Sequence, residues 1–322
     1  MALDLSRIAF VFPGQGSQYV GMGEAVAAAS TAAAAVFRAA DEALGEPISN
    51  LCFSGPAEDL DRTVNAQPAI LATSIAYLRA FEQAASDAMP TPDFYAGHSM
   101  GQYSALVAAG SISLSDGLRL VRQRGRQMQA SATDGAMAAI IGLSEDQLGE
   151  LVAAGESAGV FTIANRNSAG QIVVSGERVA VEKASGRATQ LGARRAVLLP
   201  VSVAAHSPLM SRAAEGMRAV LADVTFADPR APLLANADAR SLHTAEACRA
   251  ELVEHLTRGV DWVAAVERMR AEGVTRFIEI GPGKVLAGLI KRIAPEAVAH
   301  AIDDPSAPGR LALPITTTGA AS

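Results

Sequence analysis

Short apolar runs alternate with long alanine-rich ones over the first hundred residues, and few architectures accommodate that rhythm. The runs are RIAFVF at 7–12, AVAAASTAAAAVFRAADEAL at 25–44, PAILATSIAYLRAFEQAA at 68–85 and DFYAG at 93–97. The short runs suit strands buried on both faces, and the long ones suit helices. Their alternation predicts an α/β architecture, a parallel sheet flanked by helices.

From about Gly135 the rhythm changes. AMAAIIGL, a helix from Ser144, FTIANRNSAGQIVVSG, a helix from Glu177 and RRAVLLPVS give strand, helix, two strands, helix, strand. That is the ferredoxin-like order. We therefore expect a small domain over 134–200, inserted into a larger one built from 1–133 and 201–303, which closes with RFIEIGPGKVLAGLI. The stretch 304–322 is rich in small residues and proline and reads as a loosely ordered tail.

At 322 residues the length alone allows one large domain or two smaller ones. Half the residues are apolar, yet no run of about 18 uncharged apolar residues occurs, so no membrane span is expected. MALDLSRIAFVFPGQG lacks the basic start and cleavable end of a secretory signal, which predicts a cytoplasmic protein. Cys52 and Cys248 have no partners at metal spacing and read as small buried hydrophobes. A net charge of -6 with 4% aromatics argues against a nucleic-acid surface.

Gly97-His98-Ser99-Met100-Gly101 matches G-x-S-x-G and stands where that motif has to stand, after a strand and at a helix start. A sharp turn there brings backbones close, so the flanking positions must lack side chains, and the serine is pushed out where helix N–H groups can stabilise an oxyanion. A serine hydroxyl is a poor nucleophile at neutral pH and needs a histidine within reach. His206, in PVSVAAHSPLM, follows a strand-like run and is the best candidate base. His98 reads as a packing or positioning residue, and His243 and His300 as solvated.

The run SLSDGLRLVRQRGRQMQ opens with the capping pattern Ser113-x-x-Asp116. Spacing residues at ~100° places Leu114, Leu118, Leu120, Val121 and Met128 on one arc and Arg119, Arg122 and Arg126 on the opposite, solvated one. Arg124 falls inside the apolar arc. Buried there, it requires an anion, either a structural carboxylate or a substrate carboxylate held bidentately.

FPGQGSQ at 12–18, NAQPAI at 65–70, GHSMGQ at 97–102, RQRGRQMQ at 122–129, NRNSAGQIVVSG at 165–176, HSPLM at 206–210 and EIGPGKVL at 279–286 complete the pattern. Together, in order over about residues 8–293, they resemble the malonyl-CoA:acyl-carrier-protein transacylase family, including the acyltransferases of polyketide synthases. The resemblance implies an α/β-hydrolase-like catalytic large domain with an inserted ferredoxin-like small domain. Position by position it implies Ser99 as the acylated nucleophile and His206 as its base. The N–H groups of Gln15 and Met100 would form the oxyanion hole, Arg124 would bind the malonyl carboxylate, and Gln67 and Asn167 would line or support the pocket.

The same resemblance implies malonyl-CoA as donor, no permanently bound cofactor and no metal. It also implies an acyl carrier protein as partner and a monomer. Three departures stand out. Gln102 occupies a position that is usually glutamate, and His255 stands where a glutamine carbonyl often orients the catalytic histidine. Ala205 precedes His206 where malonyl-specific members often carry phenylalanine, leaving space for methylmalonyl or ethylmalonyl. Lys284, Lys291, Arg292, Arg194 and Arg195 are candidates for carrier docking. An acyl hydrolase using the same serine and histidine is the alternative, and Arg124 tells against it.

Overall fold

RIAFVF forms β1 (Arg7–Phe12), in which every position after the first is buried, as in a strand covered on both faces. The structure, a computed structural model, describes residues 7–131, 134–201 and 203–304. The first six residues, residue 133 at the expected domain boundary and the expected tail beyond Asp304 lie outside the described residues. The strands that follow are β2 (Phe94–Gly97), β3 (Gly135–Ile141), β4 (Phe161–Ser168), β5 (Gln171–Glu177), β6 (Arg195–Leu198), β7 (Leu233–Leu234), β8 (Ser241–Leu242), β9 (Val260–Asp261), β10 (Val274–Ile280) and β11 (Val298–Ile302).

The larger sheet runs β11-β10-β1-β2-β7-β8. Its first five strands pair in parallel and only the β7–β8 edge is antiparallel. Alternate residues of β1 enter different cores. Phe10 and Phe12 pack with Leu71 and Ile75 of the Thr63–Ala85 helix and with Leu118 and Val121 of the Leu114–Ala130 helix. Ala9 and Val11 face Trp262, Val266, Leu286 and Ile290. Burying each phenylalanine contributes roughly 1.5–3 kcal/mol. Both cysteines are buried, and burial pushes the Cys52 thiol up to about 12 and the Cys248 thiol up to about 11.

The second sheet runs β6-β3-β5-β4-β9. Within it the β6–β3, β3–β5 and β5–β4 pairs are antiparallel and these four strands take the ferredoxin-like order. Leu151 of the Leu148–Glu156 helix and Val181, Ala184 and Ala188 of the Arg178–Gln190 helix cover Ala136, Ala138, Ile140 and Val174. β9 comes from the 201–303 stretch yet pairs in parallel with β4 at Asn165 and Arg166. That stretch therefore serves both sheets, which the rhythm of the sequence did not suggest.

Three expectations are corrected. The run 25–44 is two helices, Glu24–Ala29 and Thr31–Leu44, because Ser30 is extended and its hydroxyl caps Ala33 N–H. His300 is half-buried on β11, not fully solvated. Arg122 is 6% exposed, not solvated. Pro68 lies inside the Thr63–Ala85 helix and lacks the N–H that would bond Val64 O, so Arg122 Nη1 donates to that carbonyl at 2.8 Å and to Asn65 Oδ1, while Nη2 pairs with Glu46. Arg122 thus meets a neighbouring helix, while Arg119 and Arg126 on the same arc are exposed as expected.

Candidate active site

β2 ends at Gly97 and the next helix, Gly101–Ala108, begins four residues later. A Cβ on Gly97 would lie 2.1 Å from Gly101 C, and one on Gly101 would lie 2.3 Å from Phe12 O, so only glycine fits either side of this turn. Between them Ser99 has a φ of 53°, a left-handed conformation that costs an L-residue about 1–2 kcal/mol. Hydrogen bonds hold it there. Ser99 N–H donates to Asn236 Oδ1 at 2.8 Å, and Gln102 N–H donates to Ser99 O at 3.1 Å.

Gln102 is fully buried. Its Oε1 accepts Gly97 N–H at 3.1 Å and its Nε2 donates to Leu234 O at 2.9 Å. A glutamate carboxylate would lose the second bond, so the departure at this position is a structural tie between the turn and β7.

Ser99 Oγ is 2.8 Å from His206 Nε2. His206 Nδ1 lies 2.6 Å from His255 O and 3.1 Å from Arg258 O. Two carbonyl acceptors require a proton on Nδ1, which leaves Nε2 with the lone pair that faces the hydroxyl. Burial, and then the charge of Arg124, push the His206 pKa down to about 3, so the imidazole is neutral. The His255 ring is buried, its nitrogens have no partners among the described residues, and burial holds it well below the ordinary histidine range. Its backbone carbonyl is what meets His206.

Arg124 is 2% exposed. Nη2 donates to Ser99 Oγ at 3.2 Å and Nη1 to Gln67 Oε1 at 2.9 Å, while Gln67 Nε2 rests 3.7 Å from Met128 Sδ. Among the described residues no carboxylate forms an ion pair with it. Burial lowers its pKa, with Tyr103 opposing. The structural salt bridge that the sequence left open does not form.

Ser99, His206, Arg124 and Met128 line a cleft of about 470 Å³ between the two sheets, with Gln15, His98, Asn167, Ala205, Val201 and Leu289 around it, and the fully buried Gln67 holds Arg124 from outside that lining. His98 Nε2 is 2.9 Å from Asn167 Oδ1, and its ring packs on Trp262. Ala205 is buried, and it joins Met128 and Val203 on the apolar wall. Among the described residues no protein acceptor takes the N–H of Gln15 or Met100. Sequence reasoning missed Asn236, Arg258 and the tie made by Gln102. Only Asn236 left a trace, a polar residue directly after the apolar run that becomes β7.

The acyl transferase domain family matches residues 9–302. The chain belongs to that family. The malonyl CoA-acyl carrier protein transacylase of Bacillus subtilis (strain 168) is 44% identical to this acyl transferase over 94% of its length and 95% of the relative's. The crystal structure of an acyl-carrier-protein-S-malonyltransferase from Bartonella henselae superposes on it with a TM-score of 0.92 at 44% identity, covering 95% of this chain and 98% of the other. A malonyl-transacylase in complex with its type II PKS acyl-carrier protein superposes with a TM-score of 0.89 at 39% identity, covering 94% and 98%. The two-part architecture, a larger α/β sheet and a ferredoxin-like one, is thus shared with proteins of this acyl transferase family.

Proposed function

We propose that this acyl transferase moves a malonyl group from coenzyme A to the phosphopantetheine thiol of an acyl carrier protein, through an acyl-serine intermediate, in fatty acid or polyketide biosynthesis. The observation that carries the reading is a buried guanidinium, without a carboxylate partner among the described residues, 3.2 Å from a hydroxyl that a neutral imidazole meets at 2.8 Å. Arg124 takes the free carboxylate of the malonyl group, with Gln67 holding one edge of the guanidinium. That pairing orients the thioester carbonyl toward Ser99.

His206 Nε2 takes the proton as Ser99 Oγ attacks the thioester carbon. The N–H groups of Gln15 and Met100 receive the oxyanion, a contribution worth about 10²–10³ in kcat per donor. The carbon–sulfur bond then breaks, His206 returns its proton to the leaving sulfur, and a malonyl-serine ester remains. The carrier thiol gives its proton to His206 and its sulfur attacks the ester carbon; the bond from that carbon to Ser99 Oγ breaks, His206 returns the proton to Oγ, and the malonyl group leaves as the carrier thioester. Asn167, through His98, supports the wall of the cleft beside the acyl group.

Arg124 also couples recognition to chemistry. Its charge is the second cause of the low His206 pKa, and a bound carboxylate neutralises it. Substrate binding therefore raises the basicity of the imidazole at the moment a base is needed.

The division into 1–133 with 201–303 and an inserted 134–200 belongs to this reading, as do a monomer, a cytoplasmic location and carrier docking at Lys284, Lys291, Arg292, Arg194 and Arg195. The small side chain of Ala205 admits a methyl or ethyl branch on the malonyl unit. Among the described residues no helix is long and apolar enough to cross a membrane, and no group of three His, Cys, Asp or Glu side chains could hold a metal ion.

Intact-mass measurement after mixing with malonyl-CoA tests the proposal. A malonyl adduct is expected on the protein, absent in Ser99→Ala, and lost to a phosphopantetheinylated carrier on its addition. Rapid release of free malonate without transfer would sink transfer and support the hydrolase reading. The same assay with methylmalonyl-CoA and ethylmalonyl-CoA decides the role of Ala205, and strict malonyl preference would overturn it.

A further inference from the structure

We infer that Asn236 is a positioning residue for the nucleophile, its side-chain amide locking Ser99 in the left-handed turn that presents Oγ to His206; the inference rests on the acyl-serine reading above. Asn236 stands two residues beyond the end of β7 and is 3% exposed. Its Oδ1 accepts Ser99 N–H at 2.8 Å, and its Nδ2 donates to Gly97 O at 3.1 Å. One planar amide thus closes on the residues either side of His98. Its orientation is fixed by its partners, since an N–H can be met only by the oxygen and a carbonyl only by the nitrogen.

The backbone of Asn236 is held as firmly as its side chain. Its N–H donates to Glu251 Oε1 at 2.7 Å, and its carbonyl accepts Asp261 N–H at 2.7 Å. A serine at φ 53° relaxes toward negative φ when nothing opposes it. That relaxation would swing Oγ off the 2.8 Å contact with Nε2. Because Asn236 occupies the Ser99 N–H, the oxyanion donor in this turn has to be the next N–H, that of Met100.

The test compares the full-length wild type with Asn236→Ala and Asn236→Asp. Both variants keep the backbone bond to Glu251. Three quantities are read: the second-order rate of Ser99 labelling by an alkyl fluorophosphonate, kcat and KM for malonyl-CoA, and Tm. Asn236→Ala is expected to lower the labelling rate and kcat by about 10²-fold with KM unchanged within about twofold. In Asn236→Asp, a protonated carboxyl offers one acceptor and one O–H donor to the same two backbone groups. Its labelling rate should therefore rise relative to wild type as pH falls from 8 to 5.

The titratable groups around the position are Glu251 and Asp261 at its backbone, Arg240 at 3.6 Å from Glu251, and His98, His206 and Arg124 around Ser99. All are present in the wild type, which is the control. Wild-type labelling in Asn236→Ala, or a raised KM at unchanged kcat, overturns the inference. If Asn236→Ala does not fold, Asn236→Asp decides it, and a flat ratio to wild type across that pH range overturns it. A wild type that labels with fluorophosphonate but forms no malonyl adduct would end the malonyl reading and leave the role of Asn236 to the labelling rates.

Discussion

Arg124 is 2% exposed, with an amide and a hydroxyl as its side-chain partners among the described residues. Leaving a buried cation without an anion is unfavourable by several kcal/mol, and in the proposed role a substrate carboxylate would relieve it where an acetyl group could not. Arg124→Ala should lower kcat/KM for malonyl-CoA by about 10²-fold or more while leaving acetyl transfer from acetyl-CoA no worse. Steady-state kinetics with both donors check this, and an equal loss for the two would mean that Arg124 only holds the fold. Arg124 was legible in the sequence because helical spacing put a charge inside an apolar arc. Asn236 was not, because its partners lie 137 and 139 residues away along the chain.

At the scale of an element, the strand–turn–helix around Ser99 is set by closeness of backbones. A methyl group on Gly101 would sit 2.3 Å from Phe12 O, against a central strand that cannot retreat. Gly101→Ala should destabilise by about 2 kcal/mol or more, lowering Tm by roughly 3 °C or more. A melt matching wild type would show that the turn has slack. The turn was readable because G-x-S-x-G carries its own steric reason. The break at Ser30 and the burial of Arg122 were not. The first needed the cap geometry, and the second needed a carbonyl orphaned by Pro68 on a different helix.

Over the whole molecule, buried titratable groups pull stability in opposite directions with pH. Burial pushes the carboxyls of Glu251 and Glu279 up to about 7 from an ordinary 4.5. A folded value above the unfolded one means a stabilising contribution that is full below pH 4.5 and lost as pH rises through 7. His206 and His255 are depressed below 6.5, so their contribution is present above that pH and lost as pH falls. Glu279 accepts Leu286 N–H at 3.0 Å and Ala287 N–H at 2.7 Å, so Glu279→Gln should be destabilised by loss of one acceptor. That deficit should shrink between pH 5 and pH 8, because glutamine does not titrate. Urea unfolding at the two pH values measures it, and a deficit that grows would mean that the two N–H groups favour the anion more than burial opposes it.

The sequence by itself determined the α/β rhythm, the ferredoxin-like insertion, the glycine-flanked serine turn and the inward face of Arg124. Each of these is a local pattern, fixed by periodicity or by sterics within a few residues. Tertiary structure alone decided that His206 Nδ1 meets the carbonyls of His255 and Arg258, that β9 crosses to the second sheet, and that Asn236 holds the turn at Ser99. Those arrangements depend on strands paired across long stretches of chain, and the hydrogen bonds that result leave no periodicity to read.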